Sequence, residues 1–181
     1  ALHEGAIGSL DDPAAAYAPE LAGTAYGETA LRHLLTMSSG VRFSELYNGA
    51  DDVAQLSRLS LLGESEGGAA TVRPFDARER SPGERFRYAS GETQVLGLVL
   101  RAATGMPLAD YLSARIWRPM GAEADASWLV DRGGYEAAFT GMNATLRDYG
   151  RFGLLLADDG LAEGRQLIPA AWVRAATTPA S

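Results

Sequence analysis

Tyr88 and Ser90, in the stretch RFRYASGETQVLG at residues 85–97, are the side chains whose types and spacing best suit chemistry. In an extended segment, positions 88 and 90 face the same side, so the pair can offer two hydroxyls to one pocket. A phenol has a reference pKa of about 10. Acting as a base near neutrality requires roughly 4 kcal/mol of preferential stabilisation of its anion. Cationic neighbours supply that stabilisation, and an apolar burial site opposes it. Arg85 and Arg87 are close in sequence, but the neighbour of Tyr88 in an extended run points away from it, so Arg87 is a poor activator. Two plainer readings stand beside these. Tyr88 can be a core aromatic next to a helix start, and Ser90 can be the cap of that helix.

The other candidates are weaker. Ser38-Ser39-Gly40 places serines at a tight turn, but no GxSxG pattern accompanies them, and a polar helix end with a glycine cap explains them. His33 reads as a structural histidine of the same short helix. The acid pairs Asp11-Asp12, Asp51-Asp52 and Asp158-Asp159 lie beside Pro, Gly or turns and read as caps and solvated groups. The chain carries two histidines, at positions 3 and 33, which do not make a metal-ligand spacing. No GxGxxG or GxxxxGK[ST] nucleotide fingerprint occurs. Neither a metal nor a cofactor is therefore expected.

Composition narrows the mechanisms further. All 16 positive side chains are arginine, and the sequence has no lysine and no cysteine. Thiolate catalysis, disulfides, lysine Schiff bases and lysine general bases have no group to act through within these residues. A net charge of −7 argues against a nucleic-acid footprint. The longest apolar runs are far too short to span a bilayer, and ALHEGAIGSLDD lacks the pattern of a signal peptide. The compartment is left open between cytoplasm and export, with the cytoplasm slightly favoured.

The elements that must position Tyr88 and Ser90 are mostly helices. LDDPAAAYAPEL predicts a one- to two-turn helix opened by Asp12-Pro13 and closed at Pro19. TALRHLLTMSSG predicts a helix capped by Thr29, with Leu31, Leu34 and Leu35 inward. A turn at Asn48-Gly49 precedes a helix with Val53, Leu56 and Leu59 on one face, which Leu62 can extend. Residues 63–87 lose the periodicity and read as a long loop leading to Tyr88. SGETQVLGLVLRAATG is the clearest helix, with Leu96, Val99, Leu100 and Ala103 on one face and Gly105 as its stop. Pro107 opens another helix and Pro119 ends it. ADASWLVD reads as a short strand, NATLRDYGRFGLLLADDG as a helix with Thr145 and Asp148 in capping-box spacing, and IPAAWVRAATTPAS as a last helix. Trp117, Trp128, Phe152, Trp172, Met37 and Tyr149 are assigned to the core.

LDDPAAAYAPEL, LRHLLTMSSG, SPGERFRYASGETQVLGLVLRAATGMPLADYLSARIWRPMGAE, TLRDYGRFGLLLADDG and GRQLIPAAWV together resemble the serine β-lactamase-like hydrolases. That family includes class C β-lactamases, related esterases and DD-peptidases. DASWLVD and GMNATLRDYGRFG are more similar to its 6-aminohexanoate-dimer hydrolase and carboxylesterase branch. The resemblance implies an α/β (α+β) serine β-lactamase-like fold, incomplete here, of which this segment is mostly the helical region with few strands. In the family, a serine of a Ser-x-x-Lys motif forms an acyl-enzyme, and the lysine and a tyrosine of a Tyr-x-Asn or Tyr-x-Ser motif manage the protons. YAS fits the second motif. Tyr88 is then the catalytic tyrosine, Ser90 its polar companion, and Asn143 in GMNAT a further polar contact.

The Ser-x-x-Lys helix and the later Lys/His-x-Gly strand of the family are not in these 181 residues. The chain therefore reads as a middle segment, residues 1–181 of one β-lactamase-like domain, from a hydrolase of small amides or esters whose nucleophile and lysine lie outside it. An inactive binding or scaffold protein with the same fold is the alternative, and a soluble helical interaction module is a third. The first reading predicts that the isolated segment does not turn over and folds poorly without the sheet its helices cover.

Overall fold

The computed structural model describes residues 1–179. The chain divides into two compact units. One comprises Ala1–Pro107 with Leu129–Gly141, the other Leu108–Trp128 with the chain from Met142 onward.

The first unit holds α1 (Leu31–Leu35), α2 (Asp52–Leu61) and α3 (Ser90–Thr104), with 3-10 turns at Ala14–Ala16, Pro19–Leu21 and Gly68–Thr71. Its core joins Leu21, Leu31, Leu34, Phe43, Leu56 and Val95. Within residues 63–87, Val72 and Phe75 also enter this core, while residues 81–88 are exposed.

Several end residues act differently from the sequence expectation. The first element is a single 3-10 turn, and Asp12 does not cap it. Its carboxylate instead accepts the Ser9 N–H at 3.0 Å and the Tyr17 hydroxyl at 2.5 Å. Ala30 stands at the N-cap of α1, and the Thr29 hydroxyl turns back to Ala25 O at 2.7 Å. Asp51 does cap α2, accepting Ala54 N–H at 3.1 Å.

Helix α3 ends as expected at Gly105, whose left-handed φ of 65° suits glycine. Its buried face is rotated from the expected one. Val95, Leu98 and Val99 are inside, while Leu96, Leu100 and Ala103 are half-buried. Apolar residues surround this helix, so periodicity alone does not choose the face. Buried Gln94 settles it, donating to Glu136 O at 3.3 Å and accepting Ala138 N–H at 2.8 Å.

The second unit contains α4 (Leu108–Leu112), which runs into a π-helical turn at Ser113–Trp117, then α5 (Leu146–Ala157) and α6 (Ala170–Thr177). Strands β1 (Ser127–Trp128) and β2 (Met142–Asn143) pair antiparallel, as do β3 (Leu161–Ala162) and β4 (Arg165–Gln166). Glu163-Gly164, both with positive φ, make the two-residue turn of the second hairpin. Trp117, Met120 and Leu155 form the core, with Phe152 against it. Trp172 and Tyr149 are exposed rather than core residues, and the Tyr149 hydroxyl donates to Met142 O at 2.8 Å. The described residues are thus mainly helical with few short strands.

Candidate functional site

The loop before α2 and the start of α3 meet at Glu45. Ala89 is extended and has no side chain with which to cap α3, so Ser90 is the first helical residue rather than the cap. Glu45 supplies the missing acceptor. Its Oε2 accepts the Ser90 N–H at 2.9 Å, and its Oε1 accepts the Ser90 hydroxyl at 2.8 Å and the Tyr47 hydroxyl at 2.6 Å. One carboxylate therefore satisfies an orphan helix N–H and orients two hydroxyls.

Tyr88 is 55 % exposed, which removes it from the core. Two clefts share it. One, of about 430 Å³, is lined by Glu45, Tyr47, Val53, Tyr88, Ser90 and Phe139 among others. The other, of about 590 Å³, includes Arg42, Ser44, Glu45, Asp52, Arg87 and Tyr88. Arg87 lines the same cleft as Tyr88, although the extended spacing predicts opposite faces, and its guanidinium pairs with Glu79 at 3.1 Å.

Tyr47 faces the same cleft. The hydrogen bond to Glu45, slight burial and the charges of Glu45, Tyr88 and Asp51 push its phenol up to about 12. Tyr47 is accordingly a fixed hydrogen-bond donor, and its phenol lies within electrostatic reach of Tyr88. Tyr47 adopts a left-handed φ of 55°, unusual for an aromatic residue, and Asp51 sustains that conformation. The Asp51 Oδ2 accepts both Leu46 N–H and Tyr47 N–H at 2.6 Å. Burial opposes the Asp51 charge, but the N–H donors of Ala54, Leu46, Tyr47 and Asn48 outweigh it and hold the carboxyl below its ordinary range.

The structure brings Tyr88 and Ser90 to one cleft. Asn143 belongs to the second unit, where it is exposed on β2 opposite Ser127. Ser38 and Ser39 are buried at a turn: Ser39 Oγ donates to Glu92 at 2.6 Å and accepts Val41 N–H at 3.1 Å. His33 is half-buried. Glu45 and Tyr47 are the site residues that sequence reasoning missed. Their only signal was an acid and an aromatic at i, i+2 just before the Asn48-Gly49 turn. Among the described residues, no cluster of three or more His, Asp or Glu could hold a metal, and no single helix is long and apolar enough to cross a membrane.

The family model described as Beta-lactamase matches residues 1–181. The chain is 30% identical over 165 residues to a 6-aminohexanoate-dimer hydrolase of Paenarthrobacter ureafaciens, covering 89% of this chain and 42% of the relative. It superposes with a TM-score of 0.84 on a provisionally assigned 6-aminohexanoate-dimer hydrolase from Bacillus anthracis, at 30% identity over 96% of this chain and 47% of that one. A penicillin-binding protein homologue from Pyrococcus abyssi shares the fold, with a TM-score of 0.67 at 20% identity over 96% and 43% of the two chains. The chain spans less than half the length of each of these proteins.

Proposed function

This chain belongs to the beta-lactamase family, and from that premise we propose that it is part of a serine hydrolase cleaving a small amide or ester bond, with Tyr88 as the proton carrier. The observation that carries the reading is the Tyr88 hydroxyl. Tyr88 is exposed and lines both clefts, and its hydroxyl makes no hydrogen bond to the described residues, whereas the nearby Tyr47 and Ser90 hydroxyls are both engaged by Glu45.

Each group then has a distinct task. Tyr88 takes the proton from the attacking serine and returns it to the leaving group. Ser90 supports the site through Glu45 rather than by touching substrate. Tyr47, held as a donor, offers a second phenol to a substrate in the same cleft. The sequence contains no lysine, so the serine–lysine pair of this mechanism comes from outside the 181 residues. Those residues are an internal segment of one domain, with 63–87 as the loop that delivers Tyr88. The reaction proceeds by serine attack, stabilisation of the oxyanion, protonation of the leaving group and deacylation by water. The identity to a 6-aminohexanoate-dimer hydrolase favours a short linear amide within this class.

Intact-mass measurement on the full-length protein tests the reading. An activated short-chain ester should leave one acyl group on a serine outside these residues, and the adduct should decay as product appears. Absence of both adduct and turnover, with esters and with linear amides, would support the inactive binding protein instead.

A further inference from the structure

Glu92, in the first turn of α3, is a buried carboxyl that the proposed reaction does not use. It is 2 % exposed. Its Oε1 accepts the Ser39 hydroxyl at 2.6 Å and the Ser39 N–H at 3.3 Å, while Oε2 is buried with no hydrogen-bond partner among the described residues. The Tyr26 hydroxyl is also buried without a partner. Besides burial, the charges of Glu92, Asp52 and Glu45 raise its pKa, so Tyr26 lies within electrostatic reach of Glu92 and of the cleft acids. The Tyr26 oxygen rests against Gly91, where an added Cβ would come within 2.9 Å of it.

These groups close a loop around the site. Arg87 N–H donates to Met37 O at 2.7 Å. Farther along, Glu92 returns to Ser39 in that same turn. Tyr88 and Ser90 lie on the arc between the two anchors. The turn itself is firm: Ser39 O accepts from the Arg78 guanidinium at 2.5 Å, and an added Cβ at Gly40 would fall 2.1 Å from Arg80 O.

We infer that Glu92 is a positioning residue of the Tyr88 site, closing this loop through Ser39 so that the arc carrying Tyr88 and Ser90 has one placement. What that placement serves rests on the hydrolase reading; the loop itself does not.

Among the described residues, no cation offsets a charge on Glu92. Arg78 spends its guanidinium on Ser39 O, Ala25 O and the Thr29 hydroxyl. From α1, Arg32 pairs with Asp11 and His33 rests against Gly83. From α2, the acid Asp52 reaches the neighbouring Tyr26, and the turns Ala14–Ala16 and Gly68–Thr71 carry no titratable side chain. Burial therefore pushes Glu92 up to about 7, against the lowering effect of the Ser39 bonds. Ionisation places an uncompensated charge at the junction of the loop, and the arc should respond.

The test is carbon NMR of the full-length protein, following the Glu92 carboxyl and the Tyr88 ring from pH about 5 to about 9. Tyr88 resonances should move with the Glu92 midpoint, and Glu92→Gln should abolish that movement. Glu92→Leu should lower kcat about tenfold with little change in KM, and Glu92→Gln, which keeps an acceptor for Ser39, should restore it. Should Glu92→Leu fail to fold, Ser39→Ala opens the same loop and should give the same tenfold loss. Tyr88 resonances that stay flat through the Glu92 titration would overturn the inference, as would equal kcat in the Leu and Gln variants. Coupled resonances without any turnover would keep the positioning role and reject the hydrolase reading.

Discussion

Glu92 and Asp148 each occupy the third position of a helix, α3 in the first unit and α5 in the second, and both are buried. Their surroundings differ. Asp148 accepts Glu123 N–H at 2.9 Å, Ala124 N–H at 3.3 Å and the Thr145 hydroxyl at 2.9 Å, and it pairs with Arg151 at 2.8 Å. Burial opposes its charge, but those donors outweigh burial and hold the carboxyl below its ordinary range. Among the described residues, Glu92 has only Ser39 as donor and no cation, so it is driven the other way. The same position in a helix thus yields a carboxyl that ionises below the ordinary range in one unit and one that holds its proton up to about 7 in the other. Donors brought from elsewhere in the fold decide the charge state.

The largest effect should come from removing the acid that many donors serve. Asp148→Ala strands two backbone N–H groups and leaves Arg151 with Glu123 alone, and should lower Tm by roughly 10 °C in the full-length protein. A change no larger than that of an ordinary surface substitution would break the comparison.

The next effect is the pH dependence of Glu92. Its folded pKa is raised from 4.5 to about 7, so the folded state holds the proton longer. The stability it contributes is fully present below about 4.5 and is lost as pH rises toward 7, by about 3 kcal/mol. Asp148 has the opposite sign, its stabilisation being lost as pH falls below the ordinary carboxylate range. Denaturant titrations of wild type and Glu92→Gln should diverge across the first window, the Gln variant showing the flatter dependence. Parallel curves would contradict the raised pKa of Glu92.

A smaller effect sharpens the second-unit side. Thr145 caps α5, accepting Asp148 N–H at 3.1 Å while donating back to its carboxylate. Thr145→Ala should cost about 1 kcal/mol by chemical denaturation. No measurable cost would mean that Arg151 and the backbone donors hold Asp148 without the cap.

The same contrast explains what the sequence made legible. The Thr145–Asp148 pair was visible because both partners lie within one helical turn. Tyr88 and Ser90 were visible as a motif, and Gly105 as a helix stop, for the same local reason. Glu45 was not visible, because it meets Ser90 across 45 positions of chain and only folding brings them together. The α3 face was misplaced by one residue because Glu92 and Gln94, polar side chains, face inward on partners distant in sequence. Residue type alone places Trp172 and Tyr149 in a core, yet both are exposed.

The central claim is that the exposed Tyr88 hydroxyl moves the proton in catalysis. Steady-state kinetics of Tyr88→Phe in the full-length protein, on a short activated ester and a short linear amide, addresses it directly. Removing one oxygen should lower kcat by about 100-fold or more with KM nearly unchanged and the fold intact. Turnover within about twofold of wild type would contradict the claim and return Tyr88 to a binding surface.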